Sequence, residues 1–205
     1  TPHYRARRAE IETENSTDGI IKRGIALTPV KFGISFTAKH LNQAGALIHV
    51  FTDGTIQLNH GGTEMGQGLF VKVAQVVAHE FQVDIDQIQI MPTSTEKVPN
   101  TSATAASSGS DLNGMAAQRA ARAIKDRLIA FLSERENVPA KTIVFENNEV
   151  RVGDQSFSFK DVVGAAYMAR ISLSATGYYR TPKIHYDRTL HRGRPFFYFA
   201  YGAAV

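Results

Sequence analysis

Cysteine and tryptophan are both absent from the 205 residues. Without a thiol the chain holds no disulfide, no iron–sulfur cluster and no thiolate metal site, and it is compatible with a reducing, cytoplasmic compartment. Long apolar runs are missing too. None approaches the length of a bilayer-crossing helix, and the start, Thr1-Pro-His-Tyr-Arg5, is not that of a signal peptide, so no membrane association is expected. Seven histidines occur, with no His-x-x-x-His and no acidic cluster at metal-ligand spacing. Ser107, Ser108 and Ser110 are crowded together, yet the Gly-x-Ser-x-Gly elbow of a hydrolase is not there. A net charge of +4 and a pI near 9.4 raise nucleic-acid binding. The charges are spread, however. Arg5, Arg7 and Arg8 are followed by Glu10, Glu12 and Glu14, and Arg119, Arg122, Lys125 and Arg127 share one helical stretch with Asp126 and no interleaved aromatics. A solvated helix face and no nucleic acid are expected.

What is present is glycine in one place. The alternating segment Ala46 to Leu58 reads as a hairpin with Asp53-Gly54 at its turn. Directly after it comes Asn59-His-Gly-Gly-Thr-Glu-Met-Gly-Gln-Gly-Leu69, followed by an amphipathic helical pattern from Leu69 to Phe81 with Lys72, Gln75 and His79 on the outer face. Glycines at 61, 62, 66 and 68 let the backbone take left-handed conformations and come close to another group. A turn opening a helix presents free amides, which are expected to point outward and favour an anion or a polar oxygen cluster. The Walker pattern fails because Gln67 follows Gly66, and the dinucleotide fingerprint fails because its third glycine falls on Val71. Gln67 offers a neutral amide that both donates and accepts. Glu64 is open to two readings, a general base or a carboxylate complementing the helix dipole. The plain alternative for the whole stretch is a tight turn with no ligand.

Elsewhere the spacing predicts a helix over Tyr4 to Asn15, an extended segment from Lys22 to Phe36 and a strand over Asp86 to Met91. A helix is expected from Asp111 to Leu132, a hairpin over Lys141 to Phe159 and a short helix over Phe159 to Arg170. Strands at Ile171 to Tyr179 and Pro195 to Val205 complete the pattern. Nine of the eighteen residues from Thr93 to Ser110 are Ser or Thr. Pinned between a strand and a buried helix, that stretch is expected to be a functional loop placing hydroxyls and amides at a second helix N-terminus. His49 and His60 are expected to be structural or solvent-facing. The irregular mixture of strands and helices is an α+β fold, and residues 1–205 read as a single segment. The apolar C-terminal strand is expected to be core sequence, so both ends read as cut from a longer polypeptide.

Four motifs in order carry a resemblance: Lys31-Phe-Gly-Ile-Ser-Phe36, Leu41-Asn-Gln-Ala-Gly-Ala-Leu-Ile-His-Val50, Gly61-Gly-Thr-Glu-Met-Gly-Gln-Gly68, and Pro99-Asn-Thr-Ser-Ala-Thr-Ala-Ala-Ser107 with Asp111-Leu-Asn-Gly114. Together they resemble the molybdopterin-binding portion of the xanthine dehydrogenase family of molybdenum hydroxylases. The likeness is dense from about Lys22 to Ala121 and weaker beyond. It implies a part of an enzyme that oxidises hypoxanthine and xanthine to urate with water as oxygen source. The cofactor it implies is a molybdenum–molybdopterin, whose metal takes no protein side-chain ligand. By motif, Met65, Gly66 and Gln67 would hold the pterin, with Thr104, Ala105, Ala106 and Ser107 flanking it. Ala106 would lie next to the molybdenum, and Phe36 and Thr37 would form part of the purine pocket.

Gly109 stands where close relatives carry a hydroxyl residue. The family's catalytic Glu, in a Gly-Glu-Pro-Pro-like motif, is not in this segment, which therefore carries no catalytic residue and is expected to be inactive alone. The resemblance also implies FAD and 2Fe-2S centres elsewhere, and as partners the remainder of the molybdenum subunit and the iron–sulfur and flavin subunit or domains. It is compatible with a homo-oligomer. The alternatives are an aldehyde oxidase-like member of the family and, from a different class, a free-standing nucleotide-phosphate binding module.

Overall fold

The computed structural model describes residues 3–98, 100–197 and 199–205. Pro99, the first residue of the last motif, and Tyr198, within the expected C-terminal strand, lie outside the described residues. In chain order the elements are α1 (Tyr4–Asn15), β1 (Thr28–Gly33), β2 (Gln43–Val50), β3 (Ile56–His60), α2 (Leu69–Phe81), β4 (Ile88–Ile90) and α3 (Gly109–Arg135). They continue with β5 (Ile143–Glu146), β6 (Glu149–Val152), β7 (Gln155–Ser158), α4 (Phe159–Met168), β8 (Ser174–Arg180), β9 (His185–Asp187), β10 (Arg192–Arg194) and β11 (Phe199–Ala204). Helices and sheets alternate without a repeat, which is the expected α+β class.

Two compact units divide these elements. The first, Thr1–Ile34 with Phe196–Val205, contains α1 and an antiparallel pair in which β1 runs against β11 from Thr28↔Ala204 to Gly33↔Phe199. Every residue of β11 is exposed, which corrects the reading of this strand as core. Its aromatic rings instead take a cation, with Lys31 Nζ lying 4.5 Å above the ring of Phe199. α1 buries nothing and carries an Arg8–Glu12 pair one turn apart.

The second unit, Ser35–Pro195, is built on a four-stranded sheet in the order β4-β3-β2-β8. β2 is antiparallel to both β3 and β8, and β3 is parallel to β4, with α2 as the crossover. Strand alternation points Ile48, Ile56 and Leu58 inward, where they meet Val73, Val77 and Phe81 of α2 and Ala120, Ile124 and Leu128 of α3. α3 comes very close to β8. A Cβ on Gly177 would overlap the carbonyl oxygen of Ala116 and the amide of Ala120.

The second sheet is β5-β6-β7, where one hairpin is expected from the sequence. Two turns within that stretch each close a strand pair. Asn147 and Asn148 take φ of 49° and 66°, the paired left-handed geometry of a tight hairpin turn, and Gly153 turns the next. Phe159 packs on Phe81 and Phe145, joining this sheet and α4 to the main core.

The cations of α3 do not form a simple solvated face. Arg119 donates to Tyr178 O at 2.6 Å, Arg127 to Ser172 O and Ser174 O, and Arg122 and Lys125 converge on Glu80 of α2. They tie α3 to its neighbours.

Candidate functional site

β3 delivers the chain to the glycine loop, and its last residue, His60, is 2% exposed. Nδ1 of His60 accepts the amide of Gly62 at 3.1 Å, and the ring meets Phe70 edge-on at 5.2 Å. Burial lowers its pKa from the ordinary 6.5 to about 4, so the imidazole is neutral, as an acceptor at Nδ1 requires. Gly62 is needed here for lack of room, since a Cβ would stand 2.6 Å from Leu69 and 2.8 Å from the Asn113 amide.

Beyond Gly62 the loop closes on itself. One carboxylate oxygen of Glu64 accepts from Gly66 N at 2.8 Å and Gly68 N at 3.0 Å, and the other accepts from Phe70 N at 3.0 Å. Gly66 and Gly68 take φ of 94° and 73°, left-handed values that bring these amides round to one point. This corrects the expectation of outward-pointing amides awaiting an anion: Glu64 occupies the helix N-terminus itself. The amides of Phe70, Gly68 and Gly66 hold its carboxyl below the usual carboxylate range, which disfavours a general base and supports the dipole-complementing role. Gln67 is also engaged, its Oε1 accepting Met65 N at 2.6 Å and its Nε2 donating to Thr63 O at 2.9 Å.

The second loop crosses the first. Thr63 N donates to Thr104 Oγ1 at 2.8 Å. Ala106 and Ser107 have φ of 55° and 52°, two consecutive left-handed conformations in residues that carry a Cβ, which is where strain is stored when the surroundings impose it. α3 then starts at Gly109. Ser108 does not cap it; its hydroxyl donates back to Ala105 O, while Asn113 Nδ2 bonds Gly109 O at 2.8 Å.

Between the loops lies a cleft of about 320 Å³, lined by Met65 and Gln67 from the first, Thr104, Ala105 and Ser107 from the second, and Lys72 from α2. Five of the seven residues expected at the cofactor therefore meet around one space. Gly66 and Ala106 sit within the same loops without lining it. Leu69, Lys72, Gly109 and Ser110 also line the cleft; Gly109 is marked in the sequence only as standing in place of a hydroxyl, and the other three carry no cofactor assignment there. An exposed lysine on the first turn of a helix carries no signal of its own, whereas Gly109 and Ser110 were legible as part of the hydroxyl-rich run.

Phe36 and Thr37 are placed elsewhere, in a separate cavity of about 300 Å³ with Lys39, His40, His185 and Arg188. Buried Asn42 fixes that turn, accepting Phe36 N at 2.8 Å and donating to Phe36 O at 3.0 Å and Ala38 O at 3.2 Å. Phe36 is half-buried and belongs to no core cluster.

The chemistry of the cleft is that of neutral donors and acceptors, an amide and three hydroxyls, with one ammonium that donates to Gln67 O. Among the described residues no group of three or more His, Asp or Glu stands ready to hold a metal ion. Such a site suits a cofactor gripped by the edges of its organic part. The family model of the molybdopterin cofactor-binding domain matches residues 1–205, and the chain belongs to that family. It is 45% identical over 201 residues to the xanthine dehydrogenase/oxidase of Felis catus and 46% identical over 199 residues to the xanthine dehydrogenase of Oryza sativa. These matches take in 98% and 97% of the chain but only 14% and 13% of those proteins. Among solved structures, the reconstituted CO dehydrogenase from Oligotropha carboxidovorans shares the fold. The TM-score is 0.72 at 21% identity, covering 88% of this chain and 25% of that one.

Proposed function

We propose that the chain is a contiguous part of the molybdenum subunit of a xanthine dehydrogenase, and that the cleft between its two loops is one side of the seat for a molybdenum–molybdopterin cofactor. The observation that carries this reading is the convergence of Met65, Gln67, Thr104, Ala105 and Ser107 on a single space of about 320 Å³. When bound, the cofactor supplies the metal centre at which a purine carbon is oxidised with water as the oxygen source. The chain's own part is binding and orientation. Gln67 keeps one amide proton and one lone pair beyond its bonds to Thr63 and Met65, and these suit the donor–acceptor edge of a pterin. The hydroxyls of Thr104 and Ser107 extend the same edge. Ala106, beside Ser107, is assigned to the metal side of the loop, where a small side chain leaves the approach open.

Phe36 and Thr37 are assigned to the purine: an aromatic face for the ring and a hydroxyl for its edge. Their cavity is distinct from the cleft in this chain, so the purine pocket is completed by the remainder of the subunit. The base that activates water lies outside the segment, and so do the FAD and 2Fe-2S centres, on the iron–sulfur and flavin subunit or domains. Isolated residues 1–205 are therefore inactive. The assembled enzyme is assigned to the cytoplasm. Glu64 in the α2 terminus argues against the free-standing phosphate module, whose ligand would need those amides.

The test is Gln67→Ala in the full-length protein. Removing an amide from a site held by hydrogen bonds costs roughly 0.5–1.5 kcal/mol for each bond lost, a several-fold loss of occupancy. Molybdenum per polypeptide falls while the melting temperature stays close to that of the unchanged protein. Unchanged molybdenum content would favour a plain turn.

A further inference from the structure

Met65 and Gln67 have a part in the proposed site, and Glu64, next to them, has none. Its geometry is nevertheless the most constrained in the loop. Three amides, from Gly66, Gly68 and Phe70, converge on its two carboxylate oxygens at 2.8–3.0 Å. A helix N-terminus offers the same donors to a bound phosphate. Here the anion is carried by the chain, and it spans the loop and the first turn of α2.

We infer that Glu64 is the resident anion of the α2 N-terminus and a positioning residue for the cofactor loop, holding Met65 and Gln67 toward the cleft before any ligand arrives. This rests on the cofactor reading of the cleft. The left-handed conformations of Gly66 and Gly68 are readily reached by glycine and equally readily left. Neither glycine has any neighbour against the place where a side chain would stand, so packing does not hold them. The carboxylate does. It fixes the Met65–Gly66 and Gln67–Gly68 peptides, and the Gln67 side chain between them spans Thr63 and Met65. Both oxygens are needed: a glutamine would keep one acceptor for Gly66 and Gly68 but turn an NH2 group toward the amide of Phe70. It follows that the α2 terminus is closed to any anionic group of the ligand, which must be met elsewhere.

The experiment uses the full-length protein, unchanged and as Glu64→Gln and Glu64→Ala, prepared both with cofactor and from cells unable to make the pterin. In the cofactor-free proteins, amide hydrogen exchange over residues 63–70 is expected to rise about tenfold in Glu64→Ala and by less in Glu64→Gln. Added acetate, a free carboxylate, slows exchange in Glu64→Ala and leaves the unchanged protein as it was. Peptides from α3 exchange alike in all three and report an intact fold. In the cofactor-replete proteins, molybdenum content falls in the same order. Loop exchange that is unaltered in both variants overturns the inference, and Glu64→Gln alone decides the point if Glu64→Ala does not fold. Exchange that acetate fails to slow overturns the resident-anion role. If the loop loosens while molybdenum content holds in the Glu64 variants and drops in Gln67→Ala, positioning is wrong and the cofactor reading stands. If molybdenum content holds in all three, the cofactor reading falls and takes the inference with it.

Discussion

His60 ends a strand inside the protein with a neutral ring, and this has a cost that depends on pH. Its pKa falls from 6.5 to about 4 on folding, through burial. Between those values the unfolded chain binds a proton at His60 that the folded chain does not. Stability is therefore fully present above about pH 6.5 and drains away as pH falls toward 4, by at most about 3 kcal/mol from this residue. Asparagine places an acceptor near the Nδ1 position without titrating. The melting temperature of His60→Asn is thus expected to lie below that of the unchanged protein at pH 7 and to close the gap as pH drops to 4. A gap constant with pH would show that His60 is not held neutral. The sequence placed His60 before a pair of glycines and left it structural or solvent-facing. Of these, the structure takes the structural one: His60 is buried, and the folded loop brings Phe70, ten residues on, edge-on to its ring. Glu64 was legible as a dipole complement from its place alone, whereas its grip on three amides depends on the φ values of Gly66 and Gly68.

Among the elements, α3 does most to set the site. It carries the second loop at its N-terminus and lies across β2 and β8 on a surface of small residues, Ala116, Ala117, Ala120 and Ala121, all without exposure. Gly177 lets β8 approach it. Gly177→Ala would drive a methyl group into the Ala116 carbonyl, and neither backbone can yield without moving a helix or a strand. A loss of roughly 3 kcal/mol or more is expected, read as a fall in melting temperature and soluble yield. A midpoint within a degree or two of the unchanged protein would show that α3 and β8 have slack. Helix bounds were well legible: α1 and α2 match the expected Tyr4–Asn15 and Leu69–Phe81, and α3 extends past Asp111–Leu132 by two residues before and three after. The 3.6-residue apolar stripe is a strong signal over the lengths of α2 and α3, whereas α1 buries nothing and has no such stripe. The third strand of the β5-β6-β7 sheet is not legible beyond one hairpin, because strands of four residues carry too few alternations to count.

At the scale of the whole molecule, charge and exposure take their meaning from a chain that spans about 14% of the length of its curated relatives. Four of the α3 cations are engaged within the chain: Arg122 and Lys125 on Glu80, Arg119 on Tyr178 O within β8, and Arg127 on Ser172 O and Ser174 O where that strand begins. Among the described residues no helix is long and apolar enough to cross a membrane. Glycine and hydroxyl content mark the two loops in the sequence, and the resemblance implies their ligand. What the sequence could not provide was their crossing, since Thr63 and Thr104 are forty-one residues apart. That crossing creates the cleft in which we propose that molybdopterin sits. Ser110 is exposed on the first turn of α3 and lines the cleft without belonging to the core. The direct measurement is molybdenum per polypeptide in full-length Ser110→Phe, alongside its melting curve. A phenyl ring at this position intrudes into the cleft of about 320 Å³ at its α3 side, so the expected protein melts as before and carries less molybdenum. A variant that carries its full complement of metal would contradict that placement.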